Sequence, residues 1–163
     1  MKRFLMIILA CLFCFSMVAF AGCNKTPEQT NTLRYKKEKL VFTLDKEVFA
    51  ATVTEIVRVW TLRYMLSSYA TVLENKDDIK DFLEKFFNGQ DVFTFTEITK
   101  DQFMDNLGTR STVTFVTDSK QLELYLYQED KIVRYADNER GLYYQADTGD
   151  LTSLYESYIP KIT

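Results

Sequence analysis

From residue 111 onward the chain is cut into short lengths. Clusters of turn-forming residues fall at 118–120, 128–131, 137–141 and 147–150, and apolar-rich runs occupy 111–117, 121–127, 132–136 and 142–146 between them. Such runs are too short for helices of ordinary length. The turns are too tight for crossover connections, so each run must pair with its sequence neighbour in an antiparallel meander. The pleat sorts the side chains of 121–127: Leu122, Leu124 and Leu126 share one face, and Glu123, Tyr125 and Tyr127 share the other. A segment at 151–159 follows, in which Leu151, Leu154, Tyr155 and Tyr158 form a helical stripe; Asp150 can cap it and Pro160 stops it.

Upstream, 39–44 reads as a strand. Residues 47–74 contain no glycine or proline to punctuate them. A helix there would align Phe49, Val53, Ile56 and Trp60. Seven of the ten residues from 52 to 61 are β-branched, however, and suit a pleated surface better. Two strands are expected, 53–62 and 69–74, turning around 66–68. Arg58 and Arg63 flanking Trp60 read as a solvated strand face. A helix is expected over 76–88, with Asn75 or Asp77 as cap, Asp77, Asp78 and Asp81 near the positive end of its dipole, and Ile79, Phe82, Leu83, Phe86 and Phe87 as its apolar stripe. Gly89 would end it. Residues 92–97 read as one strand. Thr99-Lys-Asp-Gln102 fits a capping box opening a short helix through Phe103, Met104 and Leu107, closed by Gly108.

The N-terminus has a different character. Lys2 and Arg3 precede residues 4–21, which are apolar apart from Ser16. A charged start, an apolar core and small residues at its end are the parts of a secretory signal. The core approaches the length that spans a bilayer, so an uncleaved anchor is the competing reading. Phe20-Ala-Gly-Cys23 resembles the lipobox of bacterial lipoproteins, with Ala21 and Gly22 at the two small positions and Cys23 at the lipidated one; Phe20 stands where leucine is usual. The resemblance implies cleavage before Cys23, acylation of its thiol, and a protein held on the extracytoplasmic face of the cell membrane. Acyl chains contribute about 0.8 kcal/mol per buried methylene, and two or more make anchoring stable. Cys11 and Cys14 form a Cys-x-x-Cys, but both lie within the apolar core of the signal and would leave with it.

Loss of residues 1–22 would leave 141 of 163 residues, enough for one domain with a real core. Lys2 and Arg3 would go too, taking the basic count from 20 to 18 against 23 acidic residues, a net charge of −5. An acidic surface argues against nucleic acid and against electrostatic docking on anionic lipid. Cys23 would be the last cysteine, and the chain has no histidine. Disulfides, thiol nucleophiles, imidazole bases and imidazole metal sites are therefore not expected, nor is a cofactor. Residues 24–32 are polar and contain Pro27. They read as a flexible tether, and nine residues at ~3.3–3.6 Å each reach about 30 Å.

The run from Ala70 through the 76–88 helix, then the meander ending Gly141-Leu-Tyr-Tyr and the helix after Asp150, resembles small domains of surface lipoproteins in Gram-positive bacteria. The resemblance covers about residues 52–158. It implies a fold and no active site. The fold expected is a single α+β domain over 33–163: one antiparallel sheet with a C-terminal strand meander and two or three helices packed on one face.

Candidate chemistry is sparse. Asp147-Thr-Gly149 echoes the aspartic-protease triplet, but such enzymes need two carboxylates sharing a proton, and the chain has one copy. A turn followed by a helix cap explains the same residues. Asp137-Asn-Glu-Arg-Gly141, and Asp147 with Asp150, lack the ligand alternation of a calcium loop. The aromatic strand face offers more. Tyr125 and Tyr127, joined by Tyr135 and by Tyr143 or Tyr144 beside Arg134 and Glu123, would suit contact with an envelope protein or a glycan if no helix covers them. The function expected is thus a non-catalytic binding module tethered to the membrane through lipid on Cys23. The alternative is a small envelope hydrolase using carboxylates around Asp147. A substrate-delivery lipoprotein is disfavoured, because two-lobed binding proteins need a longer chain.

Overall fold

A computed structural model describes residues 31–63, 69–105 and 109–160. The signal, the lipobox with Cys23 and nearly all of the tether lie outside those residues, as do the turn expected at 66–68 and Gly108. The described residues form two antiparallel sheets and three short helices, and strand far outweighs helix among them.

The four-stranded sheet is built from β1 (Thr32–Lys36), β2 (Lys39–Leu44), β3 (Lys46–Thr52) and β6 (Val92–Thr94), in the order β3-β2-β1-β6. The seven-stranded sheet takes β4 (Arg58–Arg63), β5 (Tyr69–Leu73), β7 (Thr96–Ile98), β8 (Arg110–Val116), β9 (Gln121–Tyr127), β10 (Ile132–Asp137) and β11 (Leu142–Asp147), in the order β5-β4-β8-β9-β10-β11-β7. The helices are α1 (Lys76–Phe87), α2 (Lys100–Met104) and α3 (Thr152–Ser157).

The expected α+β class with a single sheet is therefore corrected to a β-rich fold with two sheets. The extra strands come from three places. The tether was expected to run through Thr32, yet β1 begins there and pairs with β2 from Thr32↔Thr43 to Lys36↔Lys39. The chain reverses on Lys37 and Glu38, both at positive φ (51° and 60°), where asparagine and glycine usually sit. Likewise β3 lies ahead of the strand expected at 53–62, whose first residues form a turn instead. The Glu55 carboxylate accepts from the Thr52 amide at 2.7 Å and its hydroxyl at 2.8 Å, closing that turn without glycine or proline. The 92–97 run splits at Phe95. Its amide donates to the Asn31 carbonyl at 2.7 Å, β6 joins the small sheet, and β7 becomes an edge of the large one.

The meander is present as expected, β8 through β11. Its inner face carries Val113, Phe115, Leu122, Leu124, Leu126, Val133 and Ala146, all buried. Over one half of that face lies the small sheet, where the Phe42 ring meets Tyr135 edge-on at 4.7 Å. Over the other half lie α1 and α3, where Phe82 and Phe86 meet Phe115 at 6.0 and 6.2 Å. Asn75 caps α1 by accepting from the Asp77 amide, and Asn88 ends it in the left-handed conformation one residue before Gly89. Leu151, not the expected Asp150, is the N-cap of α3; Asp150 stands one residue ahead, and its carboxylate accepts from the Thr152 amide at 2.8 Å. The helices do not share one face of the sheet. Phe103 of α2 packs on Tyr125 and Tyr143, which lie on the side opposite Phe115, and the Thr99–Gln102 capping box holds that helix open at its start.

Candidate surface on the outer face of the large sheet

Register decides which candidate residues meet. Tyr125 pairs with Thr112 on one side and with Arg134 on the other, and Arg134 pairs with Gln145. Directly paired residues point to the same face. The row therefore continues from Ala70 through Leu62, Thr112, Tyr125, Arg134 and Gln145 to Thr96. Tyr127 and Tyr143 stand on this outer face too. Tyr135 and Tyr144 are each one residue out of phase and point into the sandwich. Tyr135 packs on Phe42 and lies 6.5 Å from Tyr144, and burial, then the charge of Asp137, raises its hydroxyl above the ordinary tyrosine range. The structure thus brings Tyr125 and Tyr127 together and places Tyr135 on the other side of the sheet, in the core.

The outer face has two halves. Over β9–β11 it is roofed by α2. Arg134, 3% exposed, stacks its guanidinium 4.9 Å from the centre of the Tyr127 ring, which is also 3% exposed. Its Nη1 donates to the carbonyls of Phe103 at 2.9 Å and Asp105 at 3.2 Å, and its Nε donates to Gln145 Oε1 at 3.0 Å. Phe103 completes the roof, 5.4 Å from Tyr125 and 4.9 Å from Tyr143. The tyrosine face, a contact surface only on the condition that no helix covers it, is in good part an internal packing layer with a buried arginine as its post.

Over β4 and β5 the outer face is open among the described residues, while Thr112 of β8 in the same row is buried. Trp60 is 48% exposed and Val72, its direct partner on β5, is 49% exposed. Beside them the Arg58 guanidinium lies 5.8 Å from the Trp60 ring centre and pairs with Glu74 at 2.8 Å. Tyr125, half-buried with Arg110 at 5.4 Å from its ring, bounds this open area where the α2 roof begins. Met104 on α2 is 67% exposed. The sequence places Arg58 and Arg63 together beside Trp60, but an odd and an even position of one strand face opposite ways. Arg63 pairs with Ser111 on the inner side and donates through Nη1 to the Pro160 carbonyl at 3.5 Å. The alternation of buried Val59 and Thr61 with exposed Trp60 is the signal that marks Trp60 as outward-facing.

The Asp147 region serves the turn. Asp147 ends β11 opposite Ile132 and is exposed; Thr148 donates its amide to the Lys131 carbonyl at 2.7 Å; Gly149 has φ 69°; the Asp150 carboxylate is engaged by the Thr152 amide just ahead of α3. Among the described residues no cluster of three or more histidine, cysteine, aspartate or glutamate side chains could hold a metal ion, and no helix is long and apolar enough to cross a membrane. A shallow cavity of about 320 Å³ opens between β3 and the β8–β9 turn, lined by Ala50, Ala51, Glu55 and residues 117–120. No protein-family model, no curated protein and no solved structure matches the chain.

Proposed function

We propose that this chain is a lipoprotein of the cell envelope, anchored on the extracytoplasmic side of the membrane through lipid on Cys23, and that its domain is a non-catalytic binding module. The lipobox-like Phe20-Ala-Gly-Cys23 supports the anchor. The contact surface is the open half of the outer sheet face, centred on Trp60 and bounded by Val72, Arg58 and Tyr125. The observation that carries it is the half-exposed Trp60, held on a rigid strand and not roofed by α2. A large aromatic side chain with an apolar body and a polar N–H gives much contact area for little lost conformational freedom, which suits an envelope protein or a glycan. Anchor and surface are tested separately. Mass spectrometry of the mature protein reads the first: a diacylated N-terminal Cys23 is expected, and a free Cys23 thiol or a retained leader overturns it. Photo-crosslinking from position 60 in intact cells reads the second. Capture of a defined envelope component that is lost in Tyr125→Ala is expected, and no capture overturns it.

A further inference from the structure

Four of the six residues from Arg34 to Lys39 are basic. Register puts three of them on one surface. Arg34 and Lys36 stand two apart on β1, and Lys39 pairs directly with Lys36 across the turn. All three are out of phase with buried Leu33, Leu40 and Phe42, so they point out of the sandwich. Lys37 stands at the tip of the same hairpin, and the four Cα atoms fall within about 10 Å of one another. All four side chains are exposed, and none makes an ion pair or a hydrogen bond among the described residues. Val41 and Ala50 continue the face across β2 and β3. Carboxylates stand only around it. Asp91 precedes β6, the Glu55 carboxylate is held by Thr52, and Glu38 pairs with Lys80 of α1. Lys46 and Glu47, at the end where β1 begins, cancel in charge.

We infer that this cationic outer face of the small sheet is the side on which the domain lies against the membrane, its partner being the phosphate-bearing headgroups of anionic phospholipid. The placement rests on the lipid anchor proposed above. Three observations converge on it. The first is charge: lysine and arginine side chains without internal partners, clustered on one hairpin, attract a surface of phosphates. The net charge of −5 expected for the mature chain does not oppose this. At physiological salt, charges more than about 8 Å away are largely screened, so the acidic remainder of the surface acts little at this face. The second is position. β1 is the strand that the tether enters, and Arg34 lies two residues beyond its start at Thr32. A tether reaching about 30 Å keeps the basic face near the bilayer and makes its contact intramolecular, so a weak attraction suffices. The third is orientation. The two sheets pack through their inner faces, with Phe42 on Tyr135, so their outer faces look in opposite directions. Lying on its basic face, the domain turns Trp60 away from the bilayer.

Reconstitution of the protein purified from membranes tests it, in vesicles of phosphatidylcholine alone or with about one-third phosphatidylglycerol. A fluorophore on Ala50→Cys reads the basic face, and Trp60, the chain's single tryptophan, reads the opposite one. Quenching by spin-labelled headgroups is expected to be at least about fivefold stronger at position 50 in anionic vesicles than in neutral ones, and to lose that excess in about 1 M salt. Trp60 is expected to stay unquenched in both. Combined Arg34→Gln, Lys36→Gln and Lys39→Gln, all at exposed positions, is expected to keep the wild-type thermal transition and its flotation with both vesicles, but to lose the difference in quenching. Equal quenching in both vesicles, undiminished quenching in the triple variant, or stronger quenching of Trp60 than of position 50 overturns the inference. Failure of the anchor reads differently, as a chain that does not float with neutral vesicles. The basic face then stands if the chain floats with anionic vesicles and the triple variant does not, and falls otherwise.

Discussion

The Arg134 guanidinium carbon lies over the Tyr127 ring, 4.9 Å from its centre, and both side chains are almost wholly out of water. A cation at such depth is tolerable only if its donors are matched. Here Phe103, Asp105 and Gln145 supply neutral oxygens, two of them main-chain carbonyls at the end of α2. The arginine therefore fastens α2 to the sheet. Replacing it with leucine would strand those acceptors and remove the stacking, so Arg134→Leu is expected to cost about 2–4 kcal/mol in a denaturant titration. Arg134→Lys is expected to recover little of this, because an ammonium lacks the planar fork that reaches two elements at once. Faster amide exchange confined to α2 would accompany both.

A second link joins the helices on the inner face. Tyr158, at the end of α3, donates its hydroxyl to the Asp81 carboxylate of α1, and Lys85 approaches the same oxygen at 2.7 Å. Lys85 first, then Tyr158, holds the Asp81 carboxyl below the usual aspartate range, while burial and then Asp81 push the Tyr158 hydroxyl up. The sign follows from the depressed folded value. This link contributes fully above the unfolded aspartate pKa of about 3.9 and fades as pH falls through the lower folded value. Tyr158→Phe is thus expected to cost about 1 kcal/mol at pH 7. The wild-type and variant stabilities should converge below about pH 3 as the carboxylate is protonated. Chemical denaturation at a series of pH values checks both statements.

The two layers meet at Phe86. It is fully buried and lies 5.3 Å from Phe87, 5.5 Å from Phe93 and 6.2 Å from both Phe82 and Phe115. Those rings belong to the helix, the small sheet and the large sheet, so the space left by truncation cannot close by moving one element alone. Phe86→Ala is expected to cost about 3–5 kcal/mol, and Phe86→Leu markedly less, measured by urea unfolding.

What could be read from the residues divides along a physical line. Elements whose signals are local were legible. The α1 stripe, the Asn75 cap, the Thr99–Gln102 box and the β8–β11 meander follow from periodicity and capping chemistry, and the structure places them within a residue or two of expectation. Elements fixed by partners distant in sequence were not. Phe95 divides one β-rich run between two sheets because Asn31 and Phe42 receive it, and nothing within 92–97 announces that. The aromatic face was half legible: alternation alone puts Tyr125 and Tyr127 together, but the register of β10 had to be known to send Tyr135 inward, and the docking of Phe103 had to be known to roof the rest. Trp60 acquires its interest only once α2 is seen to stop short of it.

The turn between β1 and β2 also hid its strand, and it yields a prediction of the opposite sign. Lys37 and Glu38 both hold positive φ, 51° and 60°, a conformation that crowds the Cβ of any residue but glycine. Glu38 has compensations there: its carboxylate pairs with Lys80 at 2.5 Å and its carbonyl accepts from the Val53 amide at 2.8 Å. Lys37 is exposed and has no such tie among the described residues. Asparagine tolerates the left-handed region far better than lysine does, through local hydrogen bonding of its short side chain. Lys37→Asn should therefore raise stability by about 0.5–1 kcal/mol while leaving the Glu38–Lys80 pair intact. Differential scanning calorimetry would show this as a higher transition temperature. A lower one would mean that the strain at this turn is relieved by contacts of the Lys37 stem, and that the hairpin is held by its strands and not by its turn.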